Sequence, residues 1–450
     1  MEYIEIYDYI LLLLYLSLFY FLITLKSKQI EHTGLKRYFI TAFFLHMVGS
    51  FIYCMVIRYY YGYGDSFVFF QGSTAIRRII EQTGNPFNVF FTSPDDFLKN
   101  YGSIGDSDIN IPPGMDIGSN LIIMKISAIL SYISFNSYMV VSSFFGLFSF
   151  LGTWKLFSVF NEITHKKGEK LFAISILYLP SIWFWGSGLM KESVCMGALG
   201  LIVFYIYKIF IKGKFRATDP IILLLVFYLL FIVKNYLAIV LLISMVLGYI
   251  ISLLAKSKSN PAKFFTILFL LFISGAVFII SSSATLNSII EDSKANIETF
   301  KTAYENAVND DERSLAGFTG VTISESPVDI ILESPIAVFT SLFRPFLWET
   351  KKALMFLSAI ESLLTLLATL FVFVKCRGLK FFLYIFTEPY LFFCFIYTIL
   401  LGAIIGFSTF NFGTLVRYRL PILPFYFFML LFIYLKTIKL NRPHETNSVL

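Results

Sequence analysis

The sequence predicts an all-α polytopic membrane protein with about eleven transmembrane helices and two large extracytoplasmic loops. Only 14% of its 450 residues are charged and 57% are hydrophobic; a soluble domain of this length needs more charge to cover its surface. The apolar residues cluster in runs long enough to cross a bilayer. Phe 53 and Tyr 27 form an aromatic excess suited to the membrane–water boundary.

Taken in order, the runs fall near 9–25, 38–60, 138–160, 170–187, 193–212, 220–234, 236–255, 264–284, 353–374, 383–407 and 420–436. The acidic start, Met1 to Asp8, has no small-residue cleavage site after the first run, so that run reads as an uncleaved span and not a signal peptide. Lys234, Asn235 and Tyr236 split the 220–255 region into two short helices, or into a span and a re-entrant piece. The chain thus divides into two spans (1–60), an outer loop with interfacial helices (61–137) and a helix bundle (138–284). A second outer loop (285–352), the last spans (353–436) and a tail (437–450) follow.

Orientation follows from the basic residues of the short connections. Every second connection is short and basic, as with Lys26, Lys28, Lys36 and Arg37, or Lys375, Arg377 and Lys380. Placing these in the cytoplasm puts the N-terminus and both long loops outside and the C-terminus inside, in what reads as a bacterial inner membrane. In the first loop, Asn85-Pro86 and Ser93-Pro94 are helix-start signals, and Pro112-Pro113 breaks the chain before an interfacial helix over 121–133. In the second, Asn287 to Val308 reads as a polar helix, followed by Asp310 to Glu312, Gly317 to Gly320 and Pro327 to Thr340.

Several function classes are excluded or disfavoured. The net charge of +7 is explained by the basic connections and not by nucleic acid. Four cysteines lie in or beside apolar runs without CxxC spacing, and four histidines are scattered, so neither a disulfide framework nor a metal centre is indicated. No Walker loop, GxGxxG, HExxH or GxSxG stands in a suitable context. Charges at span centres are few, Lys155 and Glu388 among them, which argues against a proton-coupled carrier.

The candidate chemistry lies at the outer ends of the spans. Asp65 is the first carboxylate after the second span, in a tyrosine- and glycine-rich stretch with Tyr63 beside it. Partial desolvation there suits a general base; a solvated loop acid or a helix cap is the plain alternative. On the same side stand Lys191 with Glu192, Lys234, Arg344 with Glu349, and Arg417 with Arg419. Cations at membrane depth normally face a cavity or a partner, and here they suit a lipid phosphate. A salt-bridged turn explains Lys191-Glu192 equally, an interfacial elbow explains Arg344 to Glu349, and headgroup binding explains Arg417 and Arg419. Glu192 or Glu349 would orient the cations or hold a divalent ion; no cofactor is otherwise called for.

The layout resembles the GT-C superfamily of integral membrane glycosyltransferases, which includes protein O-mannosyltransferases and lipid A aminoarabinose transferases. Asp65 matches the family's acidic residue in the first outer loop. Pro112-Pro113 and the following helix are similar to its juxtamembrane helices, and Arg417 to Pro421 resembles its basic, proline-terminated segment. The resemblance implies inverting transfer of a sugar from a polyprenyl-phosphate donor to an extracytoplasmic glycan, lipid or protein. Asp65 would be the base, with Arg417, Arg419, Lys191, Arg344, Glu192, Glu349 and Tyr63 at the substrate. The rivals are a polymerase or ligase using undecaprenyl-linked oligosaccharide, a non-enzymatic flippase or transporter of lipid-linked glycans, and an assembly or scaffold subunit.

Overall fold

In lipid every peptide group must find its hydrogen bond within the chain, and a helix achieves this segment by segment. The computed structural model, which describes residues 4–30, 32–102, 111–256, 327–350, 352–409 and 411–440, is accordingly helical, with no strand among those residues. Among the described residues, seven helices are long and apolar enough to cross a membrane, and a bent pair makes an eighth if counted as one span. This is an all-α polytopic membrane protein. The chain forms two units, Met1–Ile163 with Ile176–Asn235, and Thr164–Ser175 with Tyr236–Leu450.

In the first unit α1 (Ile6–Ser27) and α2 (Thr33–Met55) lead into a π-helical turn, Val56–Tyr61. The shorter helices α3 (Asp65–Thr83), α4 (Pro86–Phe91), α5 (Pro94–Tyr101) and α6 (Gly118–Ile133) follow. Asn85 and Ser93 do cap α4 and α5, each accepting a backbone N–H three residues on, with proline in the first turn. The Ser93 hydroxyl, aided by Lys99, also holds the exposed Asp96 carboxyl below its ordinary range. The long α7 (Tyr138–Ile163) packs on α10 (Lys191–Ile206), which continues as a π-helical turn to Ile211. Glycines set that crossing: a methyl group at Gly152 would stand 2.2 Å from the Gly197 carbonyl oxygen, and one at Gly200 would stand 1.9 Å from that of Gly152.

One apolar run read as a span takes another form. The 170–187 run is broken into α8 (Glu169–Phe172), a π-helical turn (Ala173–Leu177) and α9 (Pro180–Trp185). Pro180 cannot continue a helix from the preceding turn but opens a new one at its first position. The 220–234 run is α11 (Thr218–Val233), 16 residues long and shorter than the seven long helices. It stops at Lys234, whose extended backbone (φ −149°, ψ 88°) separates it from α12 (Asn235–Lys256). The 264–284 run lies outside the described residues, as do the readings of Asn287 to Val308, Asp310 to Glu312 and Gly317 to Gly320.

The second unit contains α8, most of α12, α13 (Pro327–Phe343), α14 (Ala353–Lys375), α15 (Leu379–Thr387), α16 (Pro389–Ser408), α17 (Phe412–Tyr418) and α18 (Leu423–Leu440). A methyl group at Gly406 would stand 2.1 Å from the Ala337 carbonyl oxygen, so α16 and α13 also meet backbone to backbone. Glu388, read as a span-centre charge, instead stands just before α16, where Pro389 restarts the helix, and its side chain pairs with Lys436. The α17–α18 pair is bent by 63°, and the break holds Arg419 and Pro421.

Candidate functional site

Asp65 owes its place to the way α2 ends. The π-helical turn closes on Gly62, whose N–H donates to the Ile57 carbonyl at 2.9 Å and whose φ of +73° suits glycine. Gly64, at φ +144°, then holds the N-cap position, so that Asp65 is the first residue of α3. A carboxylate there is favoured by the helix dipole by about 0.3–1 kcal/mol, so the helix start accounts for part of its presence. Asp65 is exposed, and Tyr63 is 73% exposed beside it. The next residues, Ser66 and Phe67, are buried.

Lys191 is the first residue of α10, and its side chain is half-buried. Its Nζ donates to Ser119 Oγ at 2.7 Å, so α6 supports it with one of the three ammonium donors. Its charged neighbours are Lys234, Glu192 and Asp65. Glu192 and Lys234 form a buried ion pair at 3.0 Å, with side chains 3% and 7% exposed. The first unit therefore gathers Asp65, Lys191, Glu192 and Lys234 from α3, α10 and the α11–α12 break. An ammonium at the head of a helix, where N–H groups point outward, is suited to holding an anion. Asp65, expected to be partly desolvated, is instead exposed in the structure.

The second unit gathers a different set. Arg344 donates from Nε to both carboxylate oxygens of Glu349 at 3.0 and 3.2 Å, and it lies 5.4 Å over the Phe412 ring. Arg419 is 1% exposed. Its Nη1 donates to the Arg344 carbonyl at 2.9 Å and to Ser362 Oγ at 2.8 Å, and its Nη2 stands 3.6 Å from Glu361. These contacts tie the end of α13, the middle of α14 and the α17–α18 break, which gives Arg419 an internal structural role. Arg417, in the last turn of α17, is half-buried.

No family model, curated protein or solved structure matches this chain. The site must therefore be read from its own geometry. Among the described residues, no group of three or more His, Cys, Asp or Glu side chains could hold a metal ion; Glu192 and Glu349 each face a cation. Sequence reasoning missed Glu361, although a lone acid within the apolar run 353–374 was a readable signal. Ser119 and Ser362 carry no such signal, because a serine becomes a partner only through the folding that brings it there.

Proposed function

We propose that the first unit carries the donor site of a membrane glycosyltransferase, which moves a sugar from a polyprenyl-phosphate carrier to an extracytoplasmic acceptor. The observation that supports it is the exposed Asp65 carboxylate in the electrostatic field of Lys191, itself held at the head of α10 by Ser119. In this reading the acceptor hydroxyl attacks the anomeric carbon as Asp65 takes its proton. The carbon–oxygen bond to phosphate breaks with inversion, and the leaving phosphate keeps the electron pair. Lys191 and the first N–H groups of α10 receive that charge, while the Glu192–Lys234 pair fixes the helix that presents them. The N-terminus and the α2–α3 turn lie outside the membrane in this scheme, and the C-terminus lies in the cytoplasm. The reading needs no group from the second unit.

The test is transfer of radiolabelled sugar from a polyprenyl-phosphate donor by the full chain in nanodiscs. Loss of a general base lowers turnover by about 10²–10⁴, so Asp65→Asn is expected to do so with unchanged helicity and melting temperature. Equal turnover by the variant and the parent removes Asp65 from the chemistry.

A further inference from the structure

Glycines at 62 and 64 permit the turn into α3 but do not stiffen it, since glycine leaves the backbone the widest conformational choice. The first turn of α3 needs an external support if Asp65 is to keep one position. That support stands at the first residue of α7. Tyr138 Oη lies 2.7 Å from Ser66 Oγ, and both residues are fully buried. The Tyr138 ring packs against Phe67 at 5.1 Å and Phe70 at 5.4 Å between centroids. Ser66, Phe67 and Phe70 are all buried, so one side chain holds three inward-facing residues at the start of α3. A single phenol therefore joins the start of α3 to the start of α7.

We propose that Tyr138 is the positioning residue for Asp65: its hydroxyl bonds Ser66 and its ring packs on Phe67 and Phe70, which clamps the start of α3 that carries the carboxyl. Tyr138 touches no reacting atom, and its catalytic consequence rests on the transferase reading. The clamp itself does not.

Tyr138→Phe keeps the ring contacts and removes only the hydroxyl, and Ser66→Ala removes the same bond from the other side. Hydrogen–deuterium exchange of the full chain in nanodiscs reads the clamp directly. Loss of one buried hydrogen bond is expected to speed exchange of the amides of residues 64–72 roughly tenfold in either variant. The double variant should add little, and α10 should be unaffected. In the transfer assay both substitutions should lower kcat with the donor KM unchanged. Unchanged exchange at 64–72, or effects of the two substitutions that simply multiply, overturns the clamp. Faster exchange in the variants, together with no sugar transfer by the parent chain, refutes the transferase reading and leaves the clamp standing.

Discussion

The Glu192–Lys234 pair offers the sharpest energetic prediction. At 3.0 Å and an effective dielectric constant near 20, the gross attraction is about 5.5 kcal/mol. Burying each ion costs several kcal/mol, so the net contribution of the intact pair is small. Removing one partner is another matter, because the desolvation cost of the survivor stays while its compensation goes. Glu192→Gln or Lys234→Met alone should therefore cost about 3–5 kcal/mol, while the double substitution should lie near the parent. The assay is reversible unfolding in mixed detergent micelles, followed by tryptophan fluorescence across the four-member cycle. Single losses below about 1 kcal/mol, the range of exposed pairs, or a double variant equal to the sum of the singles, refute the reasoning. Either result would mean that water reaches the pair.

Three further outcomes follow from packing and charge. Gly152→Val forces a branched side chain against the Gly197 carbonyl, and such overpacking should cost about 1–3 kcal/mol, read as a lower melting temperature. Arg419→Lys loses the planar fork that reaches Ser362 and the Arg344 carbonyl together. It should speed amide exchange at the α17–α18 break. In α6, which lies outside the seven long helices, burial pushes the Lys125 ammonium down to about 8 from an ordinary 10.5. Between those values the folded chain holds fewer protons than the unfolded one, so stability should rise with pH through that window. Lys125→Met, which removes the titrating group, should flatten that rise in melting temperature.

How much was legible in the sequence depended on whether a feature is local. Long apolar runs, the Asn85 and Ser93 caps and the break at Lys234 were readable because each is decided within a few residues. Pro180 is equally visible, yet the 170–187 run reads as one span, since hydropathy counts apolar residues and does not weigh a missing N–H. The acid at Asp65 and the cation at Lys191 were both singled out, but their proximity was not readable, because it depends on the turn at Gly62 and Gly64. Arg419 reads as a substrate contact from its place on the outer side, before the proline-marked span at Pro421. Its partners come from α13 and α14, far away in sequence, and they enclose it. Tyr138 was invisible as a site residue, being one aromatic among many at the start of an apolar run.

The most direct measurement is a cryo-electron-microscopy map of the full chain in nanodiscs with undecaprenyl phosphate. The account predicts the phosphate within hydrogen-bond distance of Lys191 Nζ at the head of α10, with Asp65 facing the same pocket. A phosphate bound elsewhere, with Lys191 still turned to Ser119 and Asp65 remote from the lipid, would contradict it.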